Sequence, residues 1–359
     1  MLTKKQVREI KEHLEKAQNP LFFFDNDPDG LCSFLLLRRW IERGKGVSVK
    51  GSAFLTKEYF RKVRELEPDY IFILDKPRVE QEFFDKVEQL NLPIVWIDHH
   101  KPDQEIPKYV HYYNPICKSK KVKGKFVNFR DFAEPVTALC YQVTQRKEDL
   151  WIAVAGCISD KFLPDFYSEF LEKNFELGIK SKSAFEVLYE SPIGTIGKIL
   201  NFALMDRTSS VVRMLKYLVS AKSPYDVLNE NSKNSFMHER YNELEKKCKL
   251  FVEKAKEIGG KSKKVLFFKY ESEMSMSSEI SNRVSYLFPK KIILIAKVKG
   301  PKVVLSVRGE NVREILLMSI EDLEGSVGGG HPDAAGGQIS VDDWNKFKEN
   351  FEKFVNRKL

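Results

Sequence analysis

The segment Phe22-Phe23-Phe24-Asp25-Asn26-Asp27-Pro28-Asp29-Gly30 decides how this chain is read. An apolar run stops at three carboxylates on alternate positions. A glycine follows, and then SFLLLRRWIERG (33–44), which has the character of a helix. A continuous apolar run suits a strand buried on both faces, and Gly30 permits a sharp turn into the helix. Outward from this segment the pattern repeats. VSVKGSAF (47–54), YIFILD (70–75) and IVWID (94–98) are β-rich runs separated by helix-like stretches. The first 115 residues therefore predict an α/β domain whose mainly parallel sheet is flanked by helices. Ligands in such sheets sit beyond the carboxyl ends of the strands. Three of the strands predicted here end in aspartate: Asp25, Asp75 and Asp98.

Further along, residues 130–222 read as mostly helical, and residues 231–258 as a long charged helix ending at Gly259-Gly260. A solvated helix with a glycine break suits a connector. VLFFKY (265–270), KIILIAKV (291–298) and VVLSVRG (303–309) then predict a smaller α/β domain. The expected division is 1–225, a helical connector at 226–260, and 261–359.

Asp25, Asp27 and Asp29 on one strand-to-helix turn repel one another unless cations lie among them, and clustered carboxylates are hard oxygen ligands suited to manganese or magnesium. A calcium loop counted from Asp25 needs a glutamate at its twelfth position, where this chain has Leu36. Asp75 and Asp160, the latter closing AVAGCISD (153–160), each deliver one carboxylate, and each alone reads first as a helix cap. Asp98-His99-His100 supplies an imidazole ligand and a second basic group together. Near the C-terminus, Gly328-Gly329-Gly330-His331-Pro332-Asp333-Ala334-Ala335-Gly336-Gly337 reads as a glycine-rich turn whose backbone N–H groups approach anionic oxygens, with His331 placed to touch the ligand. Arg308, at the end of a β-like run, suits bidentate contact with a phosphate.

Taken together, DxDxDG, a strand-end aspartate, DHH, a later aspartate and GGGHPDAAGG resemble the DHH phosphoesterase family with its C-terminal DHHA1 domain, over about residues 20–340. The resemblance implies two manganese ions (magnesium being the alternative) bridged by Asp75. One would be held with Asp27, the other with Asp29, His99 and Asp160. It places His100 near the scissile phosphate, and assigns Gly329, Gly330, His331 and Arg308 to substrate binding, with His100 and Arg308 stabilising developing charge. Other branches of the family carry a ligand histidine four residues before the Asp27 position. This chain has Phe23 there, and Asp25 is the candidate replacement. The DxDxDG form resembles the RecJ-like single-strand exonuclease branch, archaeal type, which implies release of mononucleotides from single-stranded DNA or RNA, with a lean to 3′→5′ polarity. The alternatives are an oligoribonuclease, a phosphodiesterase of pAp or cyclic dinucleotides, and a non-catalytic replication or repair scaffold. A scaffold would have lost its ligand residues, which are present here.

Composition fits this reading. There are 60 Lys+Arg against 51 Asp+Glu, a net charge of +9, and the basic stretch 118–125 suits a polyanionic substrate. The five cysteines are scattered with no CxxC, which predicts reduced thiols. With no long apolar run and an amphipathic N-terminal segment, the expectation is a cytoplasmic protein without membrane contact. Replication or repair proteins are the expected partners, docking on the helical region 161–258.

Overall fold

The computed structural model describes residues 1–359 except 53, 118–119, 123–124, 128–133, 261, 263 and 359, and excludes the side chains of 117, 120–122, 125–127, 331 and 358. The side chains of the basic stretch 118–125 and of His331 thus lie outside the described residues. The chain divides into two compact units, Met1–Tyr241 and Asn242–Leu359.

The first unit begins with α1 (Lys4–Lys16), β1 (Pro20–Asp25), α2 (Pro28–Ile41), β2 (Lys45–Val49), β3 (Phe54–Leu55) and α3 (Phe60–Leu66). It continues with β4 (Tyr70–Leu74), β5 (Arg78–Val79), α4 (Gln81–Glu88), β6 (Ile94–Ile97) and β7 (Val110–Tyr113). The main sheet has the order β2-β1-β4-β6-β7, and every pair in it is parallel. Period-two alternation explains the uninterrupted apolar runs. Phe22, Phe24, Phe72, Leu74, Val95 and Ile97 point into one core. Leu21, Phe23, Ile71, Ile73, Ile94 and Trp96 point into the other, against α3 and α4. The α/β expectation, with helices on both faces, is met.

The first core is completed by a block of helices. After the hairpin β8 (Lys120–Val122) and β9 (Lys125–Val127) come α5 (Val136–Thr144), α6 (Leu150–Ser159), α7 (Tyr167–Lys173) and α8 (Ala184–Glu190). Then follow α9 (Pro192–Leu204), α10 (Thr208–Ser220) and α11 (Tyr225–Leu228). α2 is apolar nearly all round because it is enclosed by sheet and helices. Gly156 on α6 is required there, since a Cβ would lie 2.4 Å from Thr137 Oγ1 and 2.7 Å from Cys32 Cβ.

The boundary between the units falls inside α12 (Ser235–Gly259). The second unit continues with β10 (Val265–Glu271), α13 (Ser277–Leu287), β11 (Ile292–Lys299), β12 (Lys302–Arg308) and α14 (Val312–Ile320). It ends with β13 (Val327–His331), β14 (Ala334–Ser340) and α15 (Trp344–Lys358). Its sheet has the order β10-β11-β12-β14-β13, parallel between β10 and β11 and antiparallel elsewhere. α14 and α15 cover one face through Ile315, Leu316, Phe347 and Phe351. This second, smaller α/β sheet was expected, but its glycine segment was not: in place of a glycine-rich turn there are two paired strands, with only Pro332 and Asp333 between them. Glycine accepts extended backbone as readily as a turn, and cross-strand pairing decides between the two. Among the described residues, no helix is long and apolar enough to cross a membrane.

Candidate metal centre

The chain runs from β1 outward to β2 and then returns across β1 to β4, so the strand order reverses between β1 and β4. A crevice at the carboxyl ends of strands on either side of such a reversal is where parallel sheets place ligands. Asp25 is the last residue of β1, and Asp27 caps α2, its carboxylate accepting from Gly30 N at 2.9 Å. Asp75 follows β4 with a left-handed φ of 58°, its own N–H donating to Ile97 O at 3.0 Å. Asp98 follows β6, and Asp160 caps the end of α6.

Asp29, in the first turn of α2, is 2% exposed and faces the start of α5. Its two carboxylate oxygens accept from Val136 N at 2.9 Å and Thr137 N at 2.7 Å, and Thr137 Oγ1 donates to Asp29 O at 3.0 Å. The helix N-terminus thus fixes this carboxylate.

These residues converge. Donor atoms lie within 4.8 Å of one another in three groups: Asp25, Asp27 and Asp75; Asp75, His99 and His100; and Asp29, His99 and Asp160. Asp75 and His99 belong to two groups each, and His99 Nε2 lies 3.4 Å from Asp75 Oδ1 and 4.0 Å from Asp29 Oδ2. All six residues expected as ligands are therefore in one place, with His100 beside them. Phe23 is fully buried on the opposite face of the sheet, edge-on to Phe83 and Tyr59.

The electrostatics of the cluster are frustrated. Burial, and then the charges of Asp29, Asp27, Asp25 and Asp98, push Asp75 well above the ordinary carboxylate range. Burial, Asp25 and Asp29 raise Asp27 to about 7, although the Gly30 N–H opposes this. Burial raises Asp29 despite the opposing charge of His99 and the bonds from Thr137. Asp75 Oδ1 is itself a buried oxygen without a hydrogen-bond partner among the described residues. An orphaned buried acceptor among carboxylates and imidazoles is a donor set that fits hard divalent cations.

Three residues that sequence reasoning left without a role complete the surroundings. Asp98, fully buried, accepts from His100 Nδ1 at 2.8 Å and from His100 N at 3.2 Å. Burial works against the charged imidazole, but this bond and the charges of Asp98, Asp160 and Asp25 outweigh it and raise the His100 pKa. Asn114 donates to His100 O at 2.7 Å and so holds the main chain of the same residue. Lys76 is fully buried, and its ammonium donates to Asp25 Oδ1 at 2.9 Å. Asp98 was visible as a strand-end aspartate; nothing in the sequence pattern marks Lys76.

In the second unit, β-sheet register places Arg308 and His331 in one row, with Gly330 and Gly329 in the next two. Arg308 pairs with Ala334, and Ala334 pairs with His331. Arg308 Nε donates to Asn282 Oδ1 at 2.7 Å, and Arg308 Nη1 donates to Ser306 Oγ at 3.2 Å and to Val307 O at 2.8 Å. Gly329 and Gly330 lie on β13, the last strand of the sheet order. Gly330 has a φ of 124°, and a Cβ there would sit 2.6 Å from Ala334 O, so only glycine fits.

Residues 21–154 match the DHH family, N-terminal domain, and residues 260–357 match the DHHA1 domain. The chain is therefore a member of the DHH family that carries a DHHA1 domain. No curated protein matches its sequence. In fold it is similar to RecJ from Thermus thermophilus, solved in complex with Mn2+, with a TM-score of 0.69 and 15% identity over 99% of this chain and 55% of that one. It thus spans about half the length of that relative. It is also similar to an exonuclease RecJ bound to manganese, with a TM-score of 0.63 and 15% identity over 100% of this chain and 96% of that one. CDC45 from Entamoeba histolytica aligns with a TM-score of 0.54 and 11% identity over 98% of this chain and 99% of that one. At these identities the likeness speaks to fold alone.

Proposed function

We propose that this protein is a two-metal phosphodiesterase that works as a RecJ-like exonuclease on single-stranded DNA or RNA. The observation that carries the reading is the convergence of Asp27, Asp29, Asp75, His99 and Asp160 around a buried Asp75 oxygen that has no hydrogen-bond partner among the described residues. A scaffold with no cation to bind has no reason to retain a cluster whose carboxylates resist ionisation. Asp27 and Asp75, together with Asp25, would hold one ion; Asp29, His99 and Asp160, sharing Asp75, would hold the other. Bound manganese or magnesium supplies activation of water at neutral pH and neutralisation of phosphoryl charge.

The chain's own groups do the rest. Asp98 accepts the His100 Nδ1 proton, which fixes the ring's tautomer and orientation. The Asp98 carboxylate bonded to Nδ1 favours an imidazolium at His100, which would stabilise charge on the phosphate and pass a proton to the leaving oxygen. Arg308, aligned by Asn282, and the β13 backbone at Gly329 and Gly330, with His331, hold the substrate's phosphates. The net charge of +9 favours a polyanionic strand over a small neutral substrate. Replication or repair proteins remain the proposed partners.

The test is digestion of end-labelled single-stranded DNA and RNA with manganese, beside Asp75→Ala. The proposal expects mononucleotides from long strands, lost in the variant, with the label reporting polarity. Cleavage confined to two- to five-nucleotide substrates, pAp or cyclic dinucleotides would replace it with the short-substrate reading. No cleavage by manganese-loaded protein would leave a scaffold.

A further inference from the structure

Lys76 stands out among the buried polar groups because its side chain has no exposure at all, yet it carries an ammonium. A buried charge is retained only when it is paired and hydrogen-bonded. Its partners are Asp25 Oδ1 at 2.9 Å and Ser52 O at 3.1 Å. The left-handed backbone of Asp75 makes this possible, turning the chain so that Asp75 joins the cluster while the next residue reaches Asp25. Trp96 Nε1 donates to Lys76 O at 3.0 Å and holds the turn from below.

The two ends of the cluster are therefore unequal. Asp29 is held by neutral backbone amides of Val136 and Thr137, which orient it and leave its charge intact. Asp25 is held by a full positive charge. We infer that Lys76 is a positioning residue that sets the strength of the Asp25–Asp27–Asp75 cation site, neutralising Asp25 and making this the weaker of the two sites. The inference rests on the metal reading above. In it, Asp25 orients Lys76 as much as it binds a cation, and the first group offers an incoming ion one negative charge fewer than its three carboxylates suggest.

The experiment titrates metal-free protein with manganese chloride and follows the free ion by electron paramagnetic resonance, with circular dichroism as a check on folding. Wild type should show a tighter and a weaker ion. Lys76→Met should tighten the weaker one about tenfold, as expected for removing a unit charge nearby in a partly screened site, and leave the tighter one unmoved. An unchanged isotherm, or movement of the tighter ion alone, would overturn the inference. If Lys76→Met does not fold, Lys76→Gln decides: it keeps a hydrogen-bond donor and removes the charge, so the weaker ion should again tighten about tenfold, and an unchanged value would be contrary. Wild type that binds no manganese would defeat the metal reading itself, and Lys76's role with it.

Discussion

The two units carry their motifs in opposite ways. In the first, five carboxylates and two imidazoles arrive from separate segments at the ends of β1, β4, β6 and α6, and are left electrostatically at odds. In the second, Val327–His331 and Ala334–Ser340 form one contiguous hairpin whose facing backbone groups pair with each other. The Pro332–Asp333 turn is tied to the residue after β12 by Gly309 N to Asp333 O and to the start of α14 by Arg313 N to Pro332 O, both at 3.1 Å. A region whose own contacts leave charges unresolved is built for something it must bind. A region whose contacts close on themselves is built to present a fixed surface. Changes in the first unit should therefore alter chemistry and metal response, while changes in the second should register as local stability or substrate hold.

The largest effect is expected at Asp75, which belongs to two of the three donor groups. Asp75→Ala should lower manganese-dependent cleavage on the order of 10³-fold or more, measured as initial rates on labelled strands. Asp98→Asn comes next, at about 10- to 100-fold, because it removes the group that orients His100. Since Asp98 raises the His100 pKa, the loss of rate as pH rises should begin at a lower pH in this variant, read from a pH–rate profile.

The third contrast concerns stability without metal. A carboxylate whose folded pKa lies above its unfolded value binds more protons when folded, so stability falls as pH rises between the two values. For Asp27 that window runs from 3.8 to about 7, and Asp29 and Asp75 act in the same direction. His13, lowered to about 4 chiefly by burial, has the opposite slope but is a single, partly exposed group. Metal-free protein should therefore melt at a lower temperature at pH 7 than at pH 4.5, with a flatter slope in Asp27→Asn. Manganese should recover stability at pH 7, and thermal scans at the two pH values check this.

The smallest effects separate two neighbouring glycines. Gly330→Ala, with its positive φ and its 2.6 Å clash, should cost on the order of 1–3 kcal/mol in denaturant unfolding of the second unit. Gly329→Ala meets nothing within 4 Å among the described residues and should change stability by less than about 0.5 kcal/mol. A rise in KM for Gly329→Ala at unchanged stability would then report substrate at β13.

The carboxylate cluster was legible in the sequence because its residues sit where an apolar strand or helix stops or, for Asp27 and Asp29, where the helix after such a strand begins. The parallel sheet was legible for the same reason: β1, β4 and β6 are buried on both faces. β7 was not, since Val-His-Tyr-Tyr at this sheet edge is only partly buried and lacks a long apolar run. The glycine strands β13 and β14 escaped because glycine carries no side-chain period. Lys76, Asn114 and the Asp98–His100 bond act through contacts between residues whose spacing has no pattern of its own, and only the folded chain reveals them.

The most direct test is anomalous diffraction at the manganese edge from crystals grown with manganese chloride. Two peaks should appear on either side of Asp75, one beside Asp27 and the other among Asp29, His99 and Asp160. An absence of peaks at these carboxylates, with the ion present in the crystal, would contradict the account.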